Sequence, residues 1–100
     1  MKKVIDGKMY NTETAELLFK DSYTSSEEFN GKWCDYDTIR EFYKKKNGEF
    51  FTLEYTFNIT NNDIDKSSIC FDTDEEEVKN MAAIWMDGDQ YVSIFGPVEE

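Results

Sequence analysis

The chain has no histidine, and its 100 residues include only one proline, two cysteines and five glycines. Without histidine there is no imidazole general base, no Ser-His or Cys-His pair and no His-containing zinc site. No window approaches the ~18 apolar residues that a membrane-spanning helix needs. The start, Met1-Lys2-Lys3-Val4-Ile5-Asp6-Gly7, has two lysines but no apolar segment behind them. It predicts no signal peptide and a cytoplasmic protein. In that reducing setting Cys34 and Cys70 are expected as free thiols, with Cys70 a small core residue inside an apolar run. The sequon Asn58-Ile59-Thr60 then has no role.

Positive charge is the other scarcity. Eleven Lys and Arg stand against 22 Asp and Glu, a net charge of −11. This disfavours direct binding to nucleic acid or to anionic lipid, both of which attract basic surfaces. The chain is nevertheless 39% hydrophobic and 16% aromatic, which argues for a packed core rather than disorder. Its length fits one domain spanning residues 1–100.

The imbalance is local. Residues 1–50 carry ten acids and nine bases, and residues 51–100 carry twelve acids and two bases. The acids cluster as Asp63 and Asp65, then Asp72, Asp74, Glu75, Glu76 and Glu77, then Asp87 and Asp89, then the terminal Glu99 and Glu100. Acids at a helix start complement the macrodipole, which gives Asp72 to Glu77 a structural reason. A solvated face that keeps the protein soluble is one reading of the whole set. The other is a surface matched to a positively charged nucleic-acid groove, with Asp72, Asp74, Glu75, Glu76, Glu77, Asp87 and Asp89 as its centre and Asp63 and Asp65 as outer contacts. The pairs Asp63/Asp65, Asp72/Asp74 and Asp87/Asp89 do not continue into a calcium loop, so no metal is expected. There is no phosphate-cradling glycine loop, and no cofactor or catalytic residue is expected. The exception to the acidity is Lys44-Lys45-Lys46 beside Asn47-Gly48, with Arg40 below it. Lysines at a hairpin tip protect a strand end, and they could also touch phosphate or an acidic patch.

The order of elements follows from turn signals and periodicity. Val4 to Tyr10 reads as a strand pair about Asp6-Gly7, or as one bent strand. Asn11-Thr12 reads as the cap of a helix over Glu13–Lys20, with Ala15, Leu18 and Phe19 at helical spacing. Asp21 to Glu28 is polar and reads as a loop. Asn30-Gly31 and Asn47-Gly48 are hairpin dipeptides. With Asn47 and Gly48 as a two-residue turn, Phe42 faces Leu53, Lys44 faces Phe51, Arg40 faces Tyr55, Tyr43 faces Thr52 and Ile39 faces Thr56. The alternation Phe51, Leu53, Tyr55, Phe57 marks the buried face. Trp33, Trp85, Tyr36, Tyr43 and Tyr55 read as core or half-buried. Asn58 to Ser67 reads as a loop and Ser68–Phe71 as a short strand. Thr73 and Glu76 form a capping box for a helix that buries Val78, Met81, Ala82 and Trp85. Asp87-Gly88 ends it, and Gln90–Phe95 reads as a last strand before Gly96-Pro97. The expected fold class is a small α+β domain, an antiparallel meander packed with two helices.

The opening Ile5-Asp6-Gly7-Lys8-Met9-Tyr10-Asn11-Thr12-Glu13-Thr14-Ala15 resembles the start of a group of small proteins on phages and mobile elements of low-GC Gram-positive bacteria. In that group the opening precedes a hairpin ending in G-E-[FY]-F, here Gly48-Glu49-Phe50-Phe51. A later helix opens with T-x-E-E-[AV], here Thr73-Asp74-Glu75-Glu76-Glu77-Val78 with one extra acid. Glu54 to Ser67 departs from the glycine-rich region of the group. The resemblance implies a setting similar to that of anti-CRISPR and anti-restriction inhibitors. It carries over no functional residue. It makes a CRISPR effector nuclease of the bacterial host, with its basic channel, the expected partner of a non-enzymatic inhibitor. The alternative is a protein-interaction module whose hairpin tip or sheet face binds a host regulator or a copy of itself, so monomer and homodimer both remain open.

Overall fold

The structure, a computed structural model, describes residues 1–99. Two strands, β1 (Lys2–Ile5) and β2 (Lys8–Asn11), form a small hairpin. Four more strands follow as an antiparallel meander: β3 (Glu16–Phe29), β4 (Lys32–Lys44), β5 (Phe50–Asn58) and β6 (Asp63–Asp72). Two helices close the chain, α1 (Glu75–Trp85) and α2 (Gly88–Phe95). The protein is therefore an α+β domain, and it is flat, 52 × 34 × 18 Å. Among the described residues no helix is long and apolar enough to cross a membrane.

The turns behave as their dipeptides require. Asp6-Gly7 and Asn30-Gly31 both place two successive residues at positive φ, the mirror-image turn that suits the twist of a two-residue hairpin. The turn at Asn47-Gly48 is wider than expected. Lys45 N donates to Glu49 O at 2.7 Å and Gly48 N to Lys45 O at 3.0 Å, with Gly48 at φ +93°. This is a three-residue loop closed by a glycine bulge. It moves the register by one residue from the expected pairing. Phe42 faces Thr52, Tyr43 faces Phe51, Arg40 faces Glu54, Ile39 faces Tyr55 and Lys44 faces Phe50.

The shift lets both faces of the sheet be buried at this end. On one face Phe51 and Leu53 meet Tyr43 and Tyr10 of the small hairpin, with Ile5, Ala15, Tyr55, Ile69 and Phe71 around them. On the other face Phe42 and Phe50 meet Val78, with Leu18, Phe19, Met81, Ile94 and Phe95 around them. The helices thus cover one face and the β1–β2 hairpin covers the other. Rings stack across the core: Tyr43 lies 5.1 Å from Phe51 and Phe19 lies 4.3 Å from Phe42. Each such pair adds roughly 0.5–1.5 kcal/mol to the area buried.

Several local expectations fail for identifiable reasons. The expected helix over Glu13–Lys20 and loop over Asp21–Glu28 are one long strand, β3. A β-bulge between Leu17 and Phe19 turns Leu18 and Phe19 toward the same cluster, which imitates helical spacing. The expected loop Asn58–Ser67 contains the first half of β6, so the strand there runs Asp63–Asp72. The cap of α1 is Asp74, not Thr73: its carboxylate accepts from Glu76 N at 3.0 Å. Trp85 does not reach the core, and Cys70 is exposed rather than buried. The expected strand Gln90–Phe95 is helical. Asp87 accepts from Gln90 N at 2.8 Å while Gln90 returns the bond to Asp87 N at 3.1 Å, a capping box that fixes the helix start.

Candidate partner-binding surface

The acidic residues singled out in the sequence occupy three places. Asp63 and Asp65 open β6 opposite Asn58 and Thr56, and Asp72 ends it opposite Thr52. Since β6 is an outer strand, these carboxylates run along one border of the sheet. A bulge between the Glu54 and Thr56 pairings lets β6 cover only the stretch of β5 from Asn58 to Thr52, about 20 Å from end to end. Asp74, Glu75 and Glu76 continue that border at the start of α1 and are exposed. Asp87 and Asp89 sit at the start of α2, beyond the far end of α1 and so about 16 Å from Glu75. The acids form a border and an outlying pair rather than one patch.

Their availability differs. Asp74 and Asp87 are occupied as helix caps. Asp72 accepts from Asp74 N at 2.9 Å, and Asp65 accepts from Ser67 Oγ at 2.6 Å and Ser67 N at 3.0 Å. Glu77 is drawn inward, with its Oε1 3.7 Å from Arg40 Nη1. Hydrogen bonding with Asp72 and burial push the Glu77 carboxyl above its ordinary value, and Arg40 pulls against them. Arg40 itself is committed elsewhere. Its Nε and Nη2 donate to the two oxygens of Asp21 at 3.0 and 2.6 Å, a two-bond fork between β4 and β3. Arg40 therefore does not support the lysines of the hairpin tip. The acids of this border left free of such duties are Asp63, Glu76 and Glu75, the last held loosely to Lys79 at 3.7 Å.

The far ends of β3 and β4 bring further groups, which the sequence did not mark, to the sheet face that this border flanks. Beyond the core these strands continue as a bare ribbon to the Asn30-Gly31 turn. Glu27 of the ribbon and Asp65 of β6 line one open concavity of ≈ 320 Å³ with Tyr23, Ser25, Tyr36, Thr38 and Thr56. Cross-strand bonds stiffen the ribbon: Thr24 Oγ1 donates to Asp37 Oδ1 and Ser26 Oγ to Asp35 Oδ1, both at 2.6 Å. Asp35 is tied to the loop after β5, donating from its N to Thr60 Oγ1 at 3.0 Å and accepting from Ile59 N at 2.8 Å. The pairing of β3 with β4 could have been anticipated from Asn30-Gly31, which demands equal arms on both sides.

The lysines gather at the opposite end. Lys45 Nζ lies 3.9 Å above the Tyr10 ring and 3.3 Å from Glu49, while Lys8 Nζ reaches Glu49 at 2.8 Å. Hydrogen bonds from Lys8, Asn47 and Lys45 hold the Glu49 carboxyl down at about 2. Lys2 and Lys3 lie on β1 beside them, and Lys44 and Lys46 flank Lys45. The near-neutral first half of the sequence thus separates in space into a lysine pole and an acidic ribbon.

The chain matches no family model, no curated protein and no solved structure.

Proposed function

We propose that the protein is a non-enzymatic inhibitor that sets its acidic border into the positively charged nucleic-acid channel of a host defence nuclease, a CRISPR effector being the expected class. One observation carries this reading: a line of carboxylates along β6, about 20 Å long and continued by the start of α1, with only Lys66 and Lys79 as cations in the same half of the chain. A duplex strand presents one phosphate about every 3.4 Å, so a channel built for it offers cations at a spacing the border can meet. The resemblance of the opening residues to mobile-element proteins supports the same class of partner, and it implies action in the cytoplasm of a bacterial host.

The test is inhibition of a purified RNA-guided nuclease by the full chain, run at several salt concentrations. Inhibition weakens as salt rises. The variant D63K/E75K/E76K, which spares the caps and Arg40, loses at least about tenfold in potency while its circular dichroism is unchanged. Inhibition that is indifferent to both salt and this variant ends the proposal.

A second reading rests on a different observation. Phe29 and Trp33, beside the Asn30-Gly31 turn, are 74% and 66% exposed. Aromatic residues presented at the tip of a stiff ribbon suit a protein-interaction module. Under that reading F29S/W33S abolishes partner capture and the charge reversal does not.

A further inference from the structure

β3 is an outer strand, and among the described residues no strand pairs with its far side. Natural edge strands are usually short, bulged or guarded by charge and proline. From Phe19 to Phe29 β3 pairs with β4 without irregularity, and its middle, Ser22-Tyr23-Thr24-Ser25-Ser26, carries no charge and no proline. The two-residue turn closes on the pair Phe29–Lys32, which exchanges both backbone bonds. Alternation from there turns the N–H and C=O of Lys20, Ser22, Thr24, Ser26 and Glu28 outward, unpaired.

We propose that a second copy of this chain pairs antiparallel along this edge, with Thr24 opposite Thr24 of the second copy, to make one continuous eight-stranded sheet. An antiparallel joint needs outward groups opposite outward groups, so registers differ by steps of two residues. The Thr24-centred register is the one of these that sets Lys20 opposite an acid, Glu28 of the second copy, and two-fold symmetry makes that ion pair twice. It also sets the exposed Phe29 opposite Phe19 of the second copy, so the joint runs from the bulge to the turn. Asp21 then faces Glu27 of the second copy, but its charge is already held by the two-bond fork from Arg40. Trp85, 60% exposed beside Lys20, Asp21 and Ser22, borders the joint. The helices of both copies lie on the same face of the extended sheet, because a two-fold axis perpendicular to a sheet exchanges strands without exchanging faces.

The experiment is sedimentation of the full chain across a concentration series. The wild type is a dimer by about 100 µM. K20E and E28K each weaken it at least about tenfold, since each opposes like charges twice. An equimolar mixture of K20E and E28K, and the double variant K20E/E28K, recover the wild-type dimer. T24P, whose lost N–H points away from β4, abolishes the dimer and leaves the monomer folded by circular dichroism. A wild type that stays monomeric overturns the proposal, as does a dimer that ignores T24P or the charge swap.

Discussion

The two ends of the four-stranded sheet are built on different physics. At the Asn47-Gly48 end both faces are buried, and Phe42, Tyr43, Phe50, Phe51 and Leu53 all lie in the core. At the Asn30-Gly31 end the same strands carry on with Tyr23, Phe29 and Trp33 exposed. One end is held by apolar burial. The other is held by its ladder, its turn and cross-strand bonds such as Thr24 to Asp37. The contrast teaches that a strand can be ordered by lateral pairing while contributing little to the core, which leaves its side chains free for recognition.

The largest way to break the comparison is at the packed end. Phe51→Ala empties a fully buried site and costs about 3–5 kcal/mol, read by chemical denaturation. Next comes the boundary between the two ends. Arg40→Met strips Asp21, only 8% exposed, of its partner and costs about 2–3 kcal/mol. Thr52 sharpens the contrast in the other direction. Its hydroxyl is buried and makes no hydrogen bond among the described residues, so Thr52→Val stabilises by about 1 kcal/mol.

A smaller effect lies at the lysine pole and is read by pH. The Glu49 carboxyl is held at about 2, below its ordinary 4.5. A depressed carboxyl contributes stability that is full above the ordinary value and fades as pH falls toward the depressed one. The wild type therefore loses midpoint temperature between about pH 5 and pH 2, and Glu49→Gln flattens that slope while lowering the neutral plateau slightly. Least of all is the ribbon tip. Phe29→Ser and Trp33→Ser in the monomer stay within about 0.5 kcal/mol of wild type, because little surface there is buried by the fold. A cost comparable with Phe51→Ala would show that the ribbon belongs to the core after all.

The sequence was readable where a residue type forces one backbone shape. Asp6-Gly7 and Asn30-Gly31 announced their turns, and Val78 and Ala82 announced the buried face of α1. It misled where tertiary packing outweighed periodicity. Leu18 and Phe19 share a cluster because of a bulge, which no local pattern reveals. Tyr91 to Phe95 is rich in strand formers, yet the reciprocal bonds of Asp87 and Gln90 set a helix there, and that three-residue spacing was visible. The register at Asn47-Gly48 slipped because the dipeptide is compatible with both a two-residue and a three-residue loop. For the acidic set, clustering along the chain placed Asp72 to Glu77 about the start of α1, but Asp63 and Asp65 fall in a stretch that reads as a loop where β6 runs. Nor could the sequence foretell that Glu77 folds back to Arg40 or that Glu27 lines the same concavity as Asp65.

The separation of the lysine pole from the acidic ribbon, with Asp63 and Asp65 at the ribbon's end of β6, gives the molecule an electric dipole as well as a net negative charge. In the field of a cationic channel such a body feels a torque before it feels a contact. It turns its carboxylates forward and trails its lysines, so the angular search that slows most protein encounters is partly completed at a distance. Added salt shortens the range of that torque and shrinks the distance over which alignment occurs.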